Sequence, residues 1–147
     1  MKKAPGKIVN RRARFDYELG DSLSVGLQLT GAETKALRMG HGQLRGAFVN
    51  VKDGELWLTG AQISSSSGVP LSPDEQTRSR KLLAKKREID GLMAARQQGK
   101  SIIPLELLTR GRYIKLKIAV GKGRKKYDKR ETLKRRQQER DVRRQVS

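Results

Sequence analysis

The stretch AFVNVKDGELWLT, residues 47–59, carries the strongest local signal for the fold. Asp53 and Gly54 suit a two-residue type I′ turn, because both positions of that turn need positive φ angles. Such a turn makes an antiparallel hairpin in which the alternate apolar residues share one face, namely Val49, Val51, Leu56 and Leu58. Phe48 and Trp57 lie on the opposite face, where two aromatic rings are expected to pack beneath a covering helix.

The sequence before this hairpin predicts a strand and a short helix. Residues 22–29, SLSVGLQL, alternate apolar residues with small or polar ones, a period of two that is typical of a half-buried strand. Thr30 and Glu33 have the spacing of a capping box, in which each side chain accepts a hydrogen bond from the other residue's N–H. The helix that they begin is expected to end near Gly40.

The sequence after the hairpin predicts a loop, a helix and a second hairpin. Residues 63–76 are rich in serine, proline and glycine and indicate a mobile loop. A helix is predicted within residues 80–98, with an apolar stripe of Leu82, Ile89, Leu92 and Met93. Residues 101–109 and 111–120 have the pattern of two strands. In the second, one face carries Ile114, Leu116 and Ile118, and the other carries Tyr113, Lys115 and Lys117.

This order of elements predicts a mainly β fold with flanking helices. Short antiparallel strands protect their edges when they close on themselves, so a small oligonucleotide-binding-like (OB-like) β-barrel is expected. The predicted domains are a barrel over residues 1–120 and a basic C-terminal tail over residues 121–147.

The charge of the chain indicates a polyanionic partner. Lys and Arg number 34 against 15 Asp and Glu, a formal net charge of +19 over 147 residues. The net charge is +11 in residues 1–120 and +8 in residues 121–147, so two basic contact surfaces are expected. Nucleic acid is the first candidate partner, and an anionic membrane surface is the second.

The sequence has few features of enzymes, metal sites or membrane proteins. It has no cysteine, and its single histidine, His41, lies between glycines as in an ordinary loop. No acidic pair has the spacing of a two-metal nuclease, and GKGRKK lacks the phosphate-loop frame, so neither catalysis nor a cofactor or metal is expected. No segment approaches the roughly 18 apolar residues of a membrane span, and MKKAPGKIVN lacks the apolar run of a secretory signal. A cytoplasmic setting is therefore expected.

The C-terminal tail has too few apolar residues to fold alone. Residues 121–147 hold twelve Lys or Arg, and we expect them to be disordered in isolation because little apolar area is available to offset the ordering entropy. Residues 129–144 nevertheless have good helix propensity. One interpretation is a solvated extension without a defined role, and the other is a segment that becomes helical when RNA phosphates neutralise it.

Two other stretches combine basic residues with aromatic residues. NRRARFDY, residues 10–17, interleaves Arg11, Arg12 and Arg14 with Phe15 and Tyr17. Arginine donates to phosphates in pairs of hydrogen bonds, and aromatic rings stack on unpaired bases. The same rings could instead belong to the core, and the arginines to a solvated rim. The strand face with Tyr113, Lys115 and Lys117 leaves the same two interpretations open.

Five motifs in this order resemble the SmpB family, the SsrA-binding proteins of bacterial trans-translation. They are NRRARFDY, LTGAETKALRMG, FVNVKDGELWL, RSRKLLAKKREID and GKGRKKYDKRETLKRR, and the likeness runs from about Lys7 to Arg136. The resemblance implies an OB-like barrel and a tail that is disordered when free and helical on the ribosome. It implies binding of the tRNA-like domain of tmRNA, which is delivered with elongation factor Tu to stalled ribosomes. The tail would then probe the decoding centre of the small subunit and the empty mRNA channel, which leads to peptide tagging and ribosome rescue.

The resemblance also implies site residues. Those expected to contact tmRNA are Asn10 and Tyr17 in the first motif, Lys35 and Arg38 on the first helix, Arg80, Lys81 and Leu83 at the second helix, and Lys115 on the last strand. Arg11, Arg12, Arg14 and Lys117 join them from the base-and-aromatic patterns above. Those expected to contact the ribosome are Lys122, Arg124, Lys125, Lys126, Tyr127, Asp128, Lys129, Arg130, Lys134, Arg135 and Arg136. A monomer is expected.

Several features depart from the family's pattern. Ser24 stands where many relatives carry Glu, and Val25 replaces an Ala. Ala84 ends a run that usually reads RKLLL, and residues 63–76 lack the usual His-Asp-Pro. These departures concern single contacts rather than the function. A general ribosome-associated rRNA-binding protein is the alternative function, and an enzyme acting on RNA is disfavoured by the scarcity of candidate acids and histidines.

Overall fold

The structure, a computed structural model, describes residues 6–124. Its strands are β1 (Lys7–Val9), β2 (Tyr17–Leu27), β3 (Gly42–Gln43), β4 (Phe48–Lys52), β5 (Glu55–Thr59), β6 (Gln62–Ile63), β7 (Arg80–Leu83), β8 (Ser101–Leu108) and β9 (Lys115–Gly123). Its helices are α1 (Ala13–Asp16), α2 (Gly31–Arg38), α3 (Pro73–Thr77) and α4 (Lys86–Gln97). The prediction of a mainly β chain with flanking helices is confirmed.

Six of the strands close into a barrel through backbone hydrogen bonds. Their cyclic order is β8, β4, β5, β7, β2 and β9, and the β8–β9 pairing closes the ring. On its other side β8 pairs with β4 near one end and with β1 near the other. β3 and β6 form a separate two-stranded ribbon. The predicted closure therefore exists, while the closer likeness to an oligonucleotide-binding barrel remains a prediction.

The β4–β5 hairpin has the predicted turn and register. Asp53 and Gly54 have φ angles of 54° and 75°, as a type I′ turn requires. Lys52 lies opposite Glu55, and the shared apolar face points into the barrel, where Leu56 and Leu58 are buried. On the opposite face, Phe48 is 49% exposed, so the expectation that a helix covers this ring is wrong.

The capping box at the start of α2 is also present. The Thr30 hydroxyl accepts from the Glu33 N–H at 3.1 Å, and the Glu33 carboxylate accepts from the Thr30 N–H at 2.9 Å. Gly40, at a φ of 85°, follows the end of the helix as predicted. The helix buries Ala36 and Leu37 against the barrel core, and Leu116 and Ile118 of β9 belong to the same core.

Residues 63–76 are more ordered in their contacts than a simple loop. Val69 and Leu71 are buried in the core, and the Ser66 and Ser65 hydroxyls accept hydrogen bonds from their N–H groups. Ser72 then caps the short helix α3. Serine and proline composition indicated a loop, but it did not reveal two apolar side chains that close one part of the core.

The helix predicted within residues 80–98 begins later than expected. Residues Arg80–Leu83 form β7, which pairs with β5 on one side and β2 on the other, so Leu82 belongs to the barrel rather than to a helical stripe. Helix α4 begins after Lys85, whose N–H donates to the Glu88 carboxylate at 2.9 Å. A strand of four residues is too short for its period of two to stand out beside a longer helical pattern.

The end of β9 bears on the predicted domain boundary. The strand runs to Gly123, which lies opposite Tyr17, so residues 121–123 belong to the barrel strand. The Arg124 N–H donates to the Asp16 carbonyl at 2.9 Å. The division into a barrel and a tail remains a prediction, with its junction placed near residue 124.

Two glycines with open space around the Cβ position give opposite predictions for stability. We expect Gly54→Ala to reduce the free energy of unfolding by about 1–2 kcal/mol, because alanine is strained at a positive φ. Gly91→Ala, inside α4, should raise it by about 0.5–1 kcal/mol, because alanine has the higher helix propensity. Urea denaturation of both variants checks the pair. A loss of stability in both would contradict the turn and helix assignments.

Candidate nucleic-acid interface

The first basic motif is fastened to the barrel by Asn10. The Asn10 N–H donates to the Leu105 carbonyl at 2.8 Å, and the side-chain amide donates to the Pro104 carbonyl at 2.9 Å. Both bonds hold the chain that follows β1 against β8. Asn10 was predicted to face RNA, and the structure gives its amide nitrogen a backbone partner instead. Its contribution therefore includes placing the arginines that follow.

Those arginines lie on the surface around the single-turn helix α1. Arg11, Arg12 and Arg14 are exposed. The Arg12 guanidinium lies 4.7 Å from the centre of the Phe15 ring and 3.5 Å from an Asp16 carboxylate oxygen. A guanidinium stacked in this way keeps free N–H groups for a phosphate. The structure thus brings the three predicted arginines together on one short segment.

Phe15 and Tyr17, for which two interpretations were open, are both half-buried. Tyr17 begins β2 and lies opposite Gly123, and a Cβ added at Gly121 would approach the Tyr17 Cβ to 3.3 Å. The tyrosine thus lies against the two glycines of β9, Gly121 and Gly123. Neither ring belongs to the barrel core, and each keeps an exposed part.

A cleft on the outside of the barrel collects three other predicted residues. Leu83 on β7 and Lys115 on β9 both lie opposite Gly26 of β2, so the three form one row across the sheet. Lys81 lines the same cleft, and its ammonium group is 3.0 Å from the Glu55 carboxylate. Leu83 is 53% exposed although it is apolar. Lys85 lines the cleft as well, so the cleft combines three lysines and the apolar Leu83 with two acidic residues, Glu55 and Glu88.

Ser24 also lines this cleft, and Lys117 lies in the same row as Ser24, two residues along β9 from Lys115. They are opposite each other on β9 and β2, and Glu106 of β8 is opposite Lys117 on the other side. Glu106 forms an ion pair with Lys7 at 3.8 Å. At Ser24, β2 thus places a hydroxyl beside Lys117.

Arg80 was predicted to contact RNA, and this prediction is wrong. The residue is 1% exposed. Its Nε donates to a Glu33 carboxylate oxygen at 2.8 Å, and its other nitrogens donate to the carbonyls of Ala61 and Glu75. Arginine is rarely buried, but here an acidic partner and several carbonyls satisfy its donors.

Glu33 is the centre of this buried network. Besides Arg80 and the Thr30 N–H, it accepts hydrogen bonds from Arg78, whose Nε lies 3.1 Å from one carboxylate oxygen. Burial raises the pKa of Glu33, but hydrogen bonds from Arg78, Thr30 and Arg80 more than offset this, so the pKa lies below its usual range. Burial lowers the pKa of Arg80, because it disfavours the charged guanidinium, and the hydrogen bond and negative charge of Glu33 oppose that shift.

The residues predicted on α2 have different surroundings. Lys35 is exposed. Arg38 is half-buried and donates from Nη1 to the Thr109 carbonyl and from Nη2 to the Arg112 carbonyl, each at 3.0 Å. Its guanidinium is therefore engaged with the segment between β8 and β9 rather than free for a phosphate.

Of the predicted ribosome-contacting residues, only two lie within the described part of the chain. Lys122 is exposed on β9 opposite Glu18, and Arg124 is half-buried just beyond the strand. The others lie outside the described residues: Lys125, Lys126, Tyr127, Asp128, Lys129, Arg130, Lys134, Arg135 and Arg136.

Sequence reasoning missed the roles of Glu33, Arg78 and Gly26. A signal for Glu33 was available, because Glu33, Ala36 and Leu37 have the i, i+3, i+4 spacing of one helix face, and that face is apolar. A carboxylate there needs a buried cation. Nothing local identified Arg78 or the place of Gly26 between Leu83 and Lys115, since both depend on contacts between residues far apart in sequence.

Within residues 6–124, no cluster of three or more candidate metal ligands is present. No helix among those residues is both long enough and apolar enough to cross a membrane.

Comparison with known proteins gives the same family by sequence and by structure. The model of the SmpB protein family matches residues 7–147. An SsrA-binding protein of Trichormus variabilis is 43% identical over 138 residues, covering 92% of this chain and 88% of the relative. One of Nitratidesulfovibrio vulgaris is 39% identical over 150 residues, covering 99% and 97%. A chain in the solved structure "tmRNA-SmpB: a journey to the center of the bacterial ribosome" has a TM-score of 0.68 and 32% identity, covering 83% of this chain and 87% of that chain.

The buried network makes the free energy of unfolding depend on pH in the acidic range. A lowered pKa means that Glu33 stabilises the fold fully above its unfolded pKa of about 4.3, and that this stabilisation is lost as the pH falls towards the folded pKa. Glu33→Gln should reduce the free energy of unfolding by about 3–5 kcal/mol at pH 7, because Arg80 is left buried without a counter-ion. The variant should also lose less stability than the natural protein between pH 6 and pH 3.

Denaturant titrations across this pH range check the prediction. Glu55→Gln is the matched control, because Glu55 pairs with Lys81 at the surface and should change stability by at most about 1 kcal/mol. Parallel pH profiles for the natural protein and Glu33→Gln would show that the carboxylate at residue 33 is not the titrating group.

Proposed function

The chain belongs to the SmpB family, and we propose that it is an RNA-binding adaptor of trans-translation, which binds the tRNA-like domain of tmRNA and brings it to stalled ribosomes. It acts by binding rather than by catalysing a reaction. The tRNA-like domain is a compact polyanion with exposed bases, so its recognition needs cations for phosphates and apolar or aromatic groups for base and ribose faces.

The observation that carries this proposal is the cleft around Gly26. Lys81 and Lys115 offer ammonium groups to phosphates, and the exposed Leu83 offers an apolar contact to a base or a ribose. A Cβ at Gly26 would come within 3.3 Å of the Leu83 Cβ, so the glycine lets the Leu83 side chain lie close against β2. A phosphate would compete with Glu55 for Lys81 and gain a partner at Lys115.

The exposed arginines beside α1 form a second basic surface. Arg11, Arg12 and Arg14 lie on a segment that Asn10 fixes to β8, so their backbone is ordered before RNA binds. Ordering in advance reduces the entropy lost on binding. We assign Arg11, Arg12 and Arg14 to the phosphates of the same tRNA-like domain, together with the exposed Lys35 of α2.

The basic tail is assigned to the ribosome. Residues 125–147 hold ten of the chain's Lys and Arg residues. In this proposal they enter the decoding centre and the empty mRNA channel and become helical there, since the ribosomal RNA phosphates neutralise their charge. The protein acts as a monomer in the cytoplasm, and elongation factor Tu takes part in delivery.

Removing the tail separates the two assigned surfaces. A chain ending at Arg124 keeps all of β9 and should bind the tRNA-like domain with affinity within a few-fold of the full chain, because its barrel surfaces are intact. The same truncation should abolish peptide tagging on stalled ribosomes. Gel-shift titration and an in vitro tagging assay measure the two effects. A truncated chain that no longer binds the tRNA-like domain would contradict the separation.

Single lysines test the cleft. Lys115→Ala should weaken binding of the tRNA-like domain by about 3- to 10-fold. It should also reduce the slope of log K against log salt by about one, which corresponds to the loss of one phosphate contact. Lys100→Ala is the matched control, because Lys100 is an exposed lysine that borders a different groove with Glu18 and Asp21. Equal losses for both variants would indicate general charge attraction instead of a cleft. Enrichment of rRNA without tmRNA in RNA recovered with the protein from cells would favour the rRNA-binding alternative.

A further inference from the structure

The segment between β8 and β9, residues 109–114, presents an aromatic ring and two arginines to solvent. Tyr113 is 69% exposed, and Arg110 and Arg112 are exposed beside it. The Arg112 guanidinium carbon lies 5.6 Å from the centre of the Tyr113 ring. The segment contains no acidic residue. Its chemistry therefore suits a ligand with both a flat ring and negative charge.

Long-range hydrogen bonds hold this segment from below. Arg38 donates from its two terminal nitrogens to the carbonyls of Thr109 and Arg112, each at 3.0 Å. The Thr109 N–H donates to the Gly6 carbonyl, also at 3.0 Å, and Thr109 is buried. The Arg38 guanidinium thus joins two parts of the segment, Thr109 and Arg112. The segment is therefore held in place and is not an unsupported surface loop.

The neighbouring arginine is also confined. A Cβ added at Gly6 would lie 2.4 Å from the Arg110 Cδ, so the stem of Arg110 lies directly against the backbone of residue 6. Two of the three exposed side chains are then restrained by contacts, Arg110 by the backbone and Arg112 by the tyrosine ring. A restrained surface loses less conformational entropy when a ligand binds.

We propose that Tyr113, supported by Arg112, is a stacking platform for one unpaired base of the bound RNA, and that Arg38 is the residue that positions it. The inference deepens the proposed function and rests on it, because it assigns a base contact within the same RNA complex. An exposed ring stacks on any base, and the adjacent guanidinium reinforces the stack and meets the flanking phosphate. Arg38 acts through the segment it holds, not through contact with the RNA.

Substitutions at Tyr113 separate stacking from charge. For the full-length protein and a transcript of the tRNA-like domain, Tyr113→Leu should weaken binding by about 5- to 100-fold, and Tyr113→Phe should bind within about twofold of the natural protein. The salt slope should not change with Tyr113→Leu, since no charge is lost, whereas Arg112→Gln should reduce it by about one. Phe48→Leu removes an aromatic ring that is also about half exposed, on a different strand, and should leave binding unchanged.

The role of Arg38 is tested by coupling. Arg38→Lys keeps the charge but loses the two-nitrogen fork, and should weaken binding by about 3- to 10-fold. In a Tyr113→Leu background the same substitution should change binding by less than about twofold, because the platform it positions is already absent. Additive effects of the two substitutions would overturn the positioning role. Thermal unfolding of each variant shows whether the fold is retained.

A second probe keeps the platform testable apart from the proposed function. A single-stranded oligonucleotide that carries 2-aminopurine should show fluorescence quenching with the natural protein and with Tyr113→Phe, and clearly less with Tyr113→Leu at equal saturation. Equal quenching and equal affinity for Tyr113→Leu would overturn the platform. Equal losses of affinity for Tyr113→Leu and Tyr113→Phe would overturn stacking and show that Tyr113 contacts the RNA through its hydroxyl. Failure of the natural protein to prefer the tRNA-like domain over an unrelated structured RNA would overturn the proposed function, while the oligonucleotide result still decides the platform.

Discussion

One buried carboxylate, that of Glu33, holds together parts of the chain that are far apart in sequence. It completes the cap of α2 through Thr30, and it accepts hydrogen bonds from Arg78 and Arg80 at the start of β7. Arg80 in turn donates to carbonyls near β6 and in α3. An ion pair in the interior costs desolvation, and the cost is offset only when every donor has a partner. Here the partners are mainly backbone carbonyls, so the charge network fixes backbone positions.

The buried network around Glu33 determines which side chains of β7 lie on the surface. Side chains alternate along a strand, so the inward direction of Arg80 and Leu82 requires that Lys81 and Leu83 point outwards. The same carboxylate begins the helix that carries Lys35 and Arg38. Residues that we assign to RNA binding on β7 and on α2 are therefore placed by a single buried contact. A change of register by one residue in β7 would bury Lys81 and expose Arg80, and Glu33 opposes that change.

How much of the fold could be predicted depended on the range of the interactions. The β4–β5 hairpin and the capping box of α2 rest on residues within a few positions of each other, and both were predicted correctly. β7 was assigned to a helix because its partners, β5 and β2, lie far along the chain. Arg80 was assigned to RNA contact from its place in a motif that resembles the family's, and only the pairing with Glu33 shows that it is buried. Of the cleft, the residue types were predictable, but the place of Gly26 between Leu83 and Lys115 was not, since it comes from three strands.

The pairing pattern of the barrel has a consequence for when this protein can fold. The last described strand, β9, pairs with β2 near the start of the chain, so that Tyr17 meets Gly123. β8, also late in the sequence, pairs with β1. Contacts between residues this far apart slow folding, because a long loop must close before they form. Apart from the pairing of β2 with β7 at Gly26 and Leu27, strands β1 and β2 have their partners in the late strands β8 and β9. The order of the strands therefore makes β9 the strand that closes the barrel, and most of β2 stays an open edge until β9 pairs with it.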